Sequence, residues 1–84
     1  METNWFVYIL KCADKTLYTG ITTDLERRIN EHNFSSKGAK YTRSRRPVSM
    51  AYFEMFENRS QASKREAEIK KLSKKEKLNL IRNF

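Results

Sequence analysis

The chain has 84 residues, a net charge of +8 and a pI near 9.9, which bounds it to one domain over residues 1–84 with a modest core and no separate specificity domain. Its N-terminal apolar run, Trp5 to Leu10, is too short to cross a bilayer and lacks the basic leader and small-residue cleavage site of a signal peptide. Cys12 and His32 are the only residues of their kinds, which excludes an intramolecular disulfide and a structural zinc cluster. The expectation is a soluble cytoplasmic protein with no membrane partner, whose clustered Lys and Arg neutralise a polyanion.

Residues 5–11 alternate and are rich in aromatic and β-branched types, which predicts a strand. Ala13 to Thr16 reads as a turn and Leu17 to Gly20 as the return strand of a hairpin. Thr23 with Glu26 three residues later fits a capping box opening a helix over 24–33. Ser35-Ser36-Lys37-Gly38 ends it, and the basic stretch to Pro47 reads as a loop. Val48 to Phe56 returns to strand character, with Val48, Met50, Tyr52 and Glu54 alternating against Ser49, Ala51, Phe53 and Met55. Asn58 or Ser60 caps a helix to Leu72, and Ser73 with Glu76 opens a final helix to Arg82. The order is β-β-α-β-α-α, an α+β fold in which helices pack on one face of a three-stranded antiparallel sheet.

Helical geometry sorts the polar residues. In the first helix Leu25 and Ile29 define the buried stripe, Arg28 and His32 fall on its flanks, and Arg27 points away. In the second, Ala62, Arg65, Glu66, Ile69 and Leu72 share a face. A carboxylate at Glu66 therefore sits beside an apolar stripe, either salt-bridged or ligating a metal, whereas Glu68 is solvated. Lys37, Lys40, Arg43, Arg45 and Arg46 lie between Ser35 and Pro47 without one acidic residue, interleaved with Tyr41. Such a segment grips phosphates and stacks a base on the aromatic ring, or serves as a basic surface loop. Lys70, Lys71, Lys74, Lys75 and Lys77 read as a solvated helix face.

Tyr8 in Phe6-Val7-Tyr8, Tyr18 in Tyr18-Thr19-Gly20, the segment Thr23 to His32, Gly38-Ala39-Lys40-Tyr41-Thr42-Arg43-Ser44-Arg45-Arg46-Pro47 and Arg65-Glu66 together resemble the GIY-YIG nuclease module. The resemblance is closest to the small stand-alone bacterial members of that superfamily, a group whose cellular role is undefined. It implies a metal-dependent endonuclease acting on nucleic acid, DNA rather than RNA, with a protein partner to supply specificity. The implied catalytic set is Tyr8, Tyr18, Arg28, His32 and Glu66. Glu66 would hold Mg²⁺ or Mn²⁺, Arg28 would bind phosphate, and Tyr8, with a lowered phenol pKa, would help deprotonate water. Tyr18 would position water or phosphate, and His32 would relay a proton or orient Tyr8. Asn79 and Asn83 are candidates for the asparagine often found near the family's metal.

This reading makes a geometric demand. A two-residue hairpin loop points Tyr8 and Tyr18 to opposite faces, and a three-residue loop puts them on one. A shared face predicts an odd-numbered loop or a β-bulge, which Gly20 would support. The competing readings are a non-catalytic nucleic-acid-binding module and a docking module built on Tyr52-Phe53-Glu54-Met55-Phe56.

Overall fold

A computed structural model describes residues 3–84. Its elements are β1 (Trp5–Lys11), β2 (Leu17–Thr22), α1 (Leu25–Phe34), α2 (Lys40–Arg43), β3 (Ser49–Phe56), α3 (Arg59–Lys70) and α4 (Lys74–Arg82). The three antiparallel strands are ordered β2-β1-β3. The α+β class and the expected order hold, with the four-residue α2 added inside the stretch that sequence reads as a loop.

Strand alternation gives β1 two buried faces, because Val7, Tyr8, Ile9 and Leu10 are all buried. One face carries Val7, Ile9 and Tyr52, which pack on Ala62 and Ile69 of α3 with Leu80 and Ile81 of α4 beside them. The other carries Tyr8, Leu10, Cys12 and Val48, covered by Leu25 and Ile29 of α1. Helices therefore lie on both faces, not one. The reason is in β1 itself, since a strand apolar on both sides must be covered on both.

A bulge in β3 corrects the strand pattern read from sequence. The β1–β3 register shifts between Ile9, paired with Tyr52, and Leu10, paired with Met50, which leaves Ala51 as the extra residue. Val48 and Met50 consequently face α1 while Tyr52 and Phe56 face α3.

The helix ends show which polar residues won the capping positions. At α1 the cap is Asp24, not Thr23, and its carboxylate accepts from the Arg27 amide at 3.0 Å. Thr22 competes successfully for that junction, its hydroxyl accepting from the Asp24 amide at 3.1 Å and carrying β2 two residues past Gly20. Asn58 caps α3, and Ser73 with Glu76 forms the expected capping box on α4. Asn33 fastens α1 to the start of β3 through both backbone groups of Val48, at 3.0 and 2.7 Å. Among the described residues, no helix is long and apolar enough to cross a membrane.

Candidate active site

The hairpin supplies the first requirement. Lys11 pairs with Leu17 and Tyr8 with Gly20, and the Cys12 amide donates to the Thr16 carbonyl at 2.9 Å. Ala13, Asp14 and Lys15 thus form a three-residue loop, with Lys15 at φ 69° completing the tight turn. This odd loop places Tyr8 and Tyr18 on the face that α1 covers. Gly20 needs no left-handed backbone there; it admits the phenol of its strand partner, since a β-carbon would sit 2.5 Å from Tyr8 Oη.

His32 closes the site from α1. It is fully buried, and its Nε2 lies 2.9 Å from Tyr8 Oη. Its Nδ1 lies 2.9 Å from Thr42 Oγ1 on α2. The Tyr18 ring stands edge-on to His32 at 5.2 Å and stacks against Tyr41 at 5.9 Å. Burial, with Arg28 and then Arg46 adding positive charge nearby against Glu31, pushes the His32 pKa down to about 4. The imidazole is neutral at physiological pH.

Burial also pushes the Tyr8 phenol up to about 12, with the neighbouring Arg28 acting against that rise. The lowered phenol pKa expected for a free phenolate base is therefore absent from the resting protein. Desolvation outweighs the cation. Tyr8 is a protonated hydroxyl whose oxygen meets a neutral imidazole nitrogen.

Arg28 is positioned as its helical phase predicts. Its guanidinium donates to Glu31 Oε1 and to the Lys37 carbonyl, each at 2.9 Å. Its own charge is disfavoured by partial burial, but contacts with Glu31 and Tyr8 more than compensate. Among the described residues Glu66, on α3, is paired only with Lys70, at 3.3 Å, an exposed partner that is free to swing away. The Glu66 charge nonetheless reaches Tyr8, where it contributes to the raised phenol pKa. Arg65 beside it is committed elsewhere, to Glu54 through two nitrogens at 3.0 and 3.1 Å and to Glu68 at 3.3 Å, and Glu68 is solvent-exposed as its helical phase implies. Asn79 and Asn83 belong to α4 and its C-cap, and α4 packs against β3.

The donor set decides which cation would fit. Among the described residues no three His, Cys, Asp or Glu side chains cluster as metal ligands, so a cation held at Glu66 would not meet a closed cage of protein donors. One carboxylate suits a hard ion that keeps most of its water, as Mg²⁺ and Mn²⁺ sites do, and does not suit a closed zinc or calcium cage.

The basic segment divides into two groups. Arg46 donates to the His32, Ser35 and Glu31 carbonyls at the end of α1. Arg45 donates to the Tyr41 carbonyl at 2.8 Å, lies 4.0 Å over the Tyr41 ring and sits 3.0 Å from Asp14, at an angle outside a hydrogen bond. Tyr41 thus contacts both Arg45 and Tyr18 while staying exposed. Lys37, Lys40 and Arg43 remain exposed, Arg43 donating only to the Ser36 carbonyl at 2.8 Å. Sequence reasoning missed Thr42, a fully buried hydroxyl in this segment. Its signal is its spacing from Ala39, where a threonine can bond back to a carbonyl three residues earlier.

Residues 4–79 match the GIY-YIG catalytic domain family. The chain belongs to the GIY-YIG family. A UPF0213 protein of Desulfotalea psychrophila is 63% identical over 78 residues, covering 93% of this chain and 71% of the relative. The solution NMR structure of a protein from E. faecalis superposes with a TM-score of 0.65 at 48% identity, covering all of this chain and 91% of the other. That of a UPF0213 protein from Bacillus halodurans gives 0.59 at 46% identity, covering 93% and 82%. This GIY-YIG chain keeps both tyrosines and the glycine of the second motif, while Phe6-Val7 and Thr19 stand at the other name-giving positions.

Proposed function

We propose that the chain is a metal-dependent endonuclease that hydrolyses phosphodiester bonds, in DNA in preference to RNA. The observation that carries this reading is the buried contact of Tyr8 Oη with the neutral His32 Nε2 at 2.9 Å, beside a guanidinium at Arg28. The family match supports the reaction class.

With a phenol held near 12, Tyr8 works as a relay rather than a preformed base. Its oxygen takes a proton from water as its own proton passes to His32 Nε2, so no free phenolate forms. The water oxygen bonds to phosphorus, the bond from phosphorus to the leaving sugar oxygen breaks, and that oxygen takes a proton from solvent while His32 gives its own back to solvent. Arg28 stabilises charge that grows on the nonbridging oxygens, exchanging its Glu31 contact for phosphate. Tyr18 lines the same face and orients water or phosphate. Glu66 would hold a hydrated Mg²⁺ or Mn²⁺, which when bound supplies Lewis-acid stabilisation of the leaving oxygen. Lys37, Lys40 and Arg43 supply the backbone grip, and a protein partner supplies selectivity.

The test is a nicking assay on duplex, branched and single-stranded DNA and RNA with Mg²⁺ or Mn²⁺, comparing wild type with Glu66→Ala and Arg28→Ala. Cleavage by wild type alone, with binding retained in Glu66→Ala, supports the reading. Salt-sensitive binding without cleavage by any form replaces it with a non-catalytic binding module.

A further inference from the structure

Thr42 is not hydrogen-bonded to Tyr8, yet it reaches the ring nitrogen opposite the one Tyr8 uses. His32 Nδ1 is 2.9 Å from Thr42 Oγ1, and that oxygen is in turn 2.9 Å from the Ala39 carbonyl. A threonine hydroxyl has one proton to give. If it goes to the Ala39 carbonyl, Oγ1 accepts from His32 Nδ1–H, and Nε2 must carry the lone pair that faces Tyr8. If it goes to Nδ1, Oγ1 and the Ala39 carbonyl oxygen meet at 2.9 Å with no proton between them, although the Ala39 amide, at 3.4 Å, then keeps Nδ1 as its acceptor, which the first arrangement takes away. The first arrangement makes three consecutive steps at 2.9 Å each, Tyr8 to His32 to Thr42 to Ala39. The second leaves the short contact of Thr42 with the Ala39 carbonyl without its proton, whereas the first gives up only the 3.4 Å one.

We propose that Thr42 is a positioning residue that fixes His32 as the Nδ1–H tautomer, so that Nε2 is the proton acceptor aimed at Tyr8. This rests on the nuclease reading for its consequence, but not for its test. Both Thr42 and His32 are fully buried, so water does not substitute for the hydroxyl. The device parallels any imidazole base whose second nitrogen is fixed by a neighbour. It explains why a buried hydroxyl stands within an otherwise charged and exposed segment.

His32 is the only histidine in the chain, so the imidazole region of a long-range ¹H–¹⁵N spectrum at neutral pH reports this ring alone. Wild type and Thr42→Ser are expected to show a protonated Nδ1 and a bare Nε2. Thr42→Val, which keeps the shape and removes the hydroxyl, is expected to shift toward the Nε2–H form. Cleavage is expected to fall roughly a hundred-fold in Thr42→Val, the range of one general acid–base contribution, and to recover in Thr42→Ser. A wild-type ring protonated on Nε2, or a Thr42→Val ring with unchanged tautomer, overturns the proposal. Expected tautomers without cleavage by wild type leave the positioning intact and overturn the nuclease reading instead.

Discussion

Gly20 and Tyr8 face each other across the β1–β2 pair, so close that a β-carbon on Gly20 would lie 2.5 Å from the phenol oxygen and 2.8 Å from Cζ. Neither atom can retreat, because the ring is buried and its hydroxyl is held at His32. Gly20→Ala is therefore expected to destabilise the fold by about 1–3 kcal/mol, the usual cost of forcing a methyl group into a packed site. It should also break the Tyr8–His32 contact. Urea unfolding followed by circular dichroism measures the first effect, and the His32 ring nitrogen shifts report the second. Unchanged stability and unchanged shifts would show that the phenol has room the structure does not contain.

The neutral His32 links stability to pH. Its pKa is about 4 in the fold, against about 6.5 in an unfolded chain, so the unfolded state binds the proton first as pH falls. The stabilisation is complete above about pH 6.5 and is lost progressively toward pH 4, amounting to about 3 kcal/mol at most. Burial sets this first, with Arg28 and Arg46 adding to it against the opposing charge of Glu31. Asp14, Glu31 and Glu76 also have lowered pKa values and begin to lose stabilisation as pH falls toward the unfolded carboxylate value of about 4, a contribution that wild type and a His32 variant share and that cancels between them. Urea midpoints at about pH 7.5 and about pH 4.5 should differ clearly in wild type and much less in His32→Gln, which cannot take up a proton.

Two arginines of the basic segment should fail in different ways. Arg46 donates to three carbonyls where α1 ends, so Arg46→Ala strips a cation from a helix C-terminus and leaves acceptors unpaired. The expected cost is about 1–3 kcal/mol of stability. Arg43 is exposed and holds one carbonyl. Arg43→Ala should change stability by no more than about 0.5 kcal/mol while lowering the salt dependence of nucleic-acid binding by about one phosphate contact. Thermal melts and binding isotherms at several salt concentrations separate the two; equal effects of both variants on either readout would refute the division.

What sequence made legible follows physical period. Alternation and capping chemistry located all three strands and the three longer helices, and the helical phase of Arg28, His32 and Glu66 brought them to the expected faces. The demand that Tyr8 and Tyr18 share a face fixed the parity of the hairpin loop, which local propensity left open. Other features had no periodic signature. The bulge at Ala51 separates Met50 from Tyr52, but both sides of it are apolar, so the pattern reads through unbroken. Thr23 and Asp24 are both good caps, and only the Thr22 hydroxyl at the strand end decides between them. Arg45 and Arg46 look like phosphate ligands by composition, whereas nearby carbonyls and the Tyr41 ring claim them in three dimensions. Thr42 was overlooked because a hydroxyl among cations reads as solvent-facing.

Glu31 tests how the phosphate site is held before substrate arrives. Its carboxylate sits 2.9 Å from Arg28 Nη1, with Arg27 at 4.0 Å on its other side. The Arg28 guanidinium holds the Glu31 carboxyl below the usual range, so the pair is charged at neutral pH. A phosphate entering the site must compete with that carboxylate for the same guanidinium. Glu31→Gln keeps the shape and a hydrogen-bond acceptor while removing the charge. It is expected to tighten nucleic-acid binding about three- to ten-fold at low salt, the scale of one partly exposed ion pair plus one fewer repelling charge. Stability should move by no more than about 1 kcal/mol, since the pair is only partly buried. Binding isotherms for wild type, Glu31→Gln and Arg28→Ala decide the matter. If Glu31→Gln weakens binding, the carboxylate orients Arg28 for phosphate instead of competing with it.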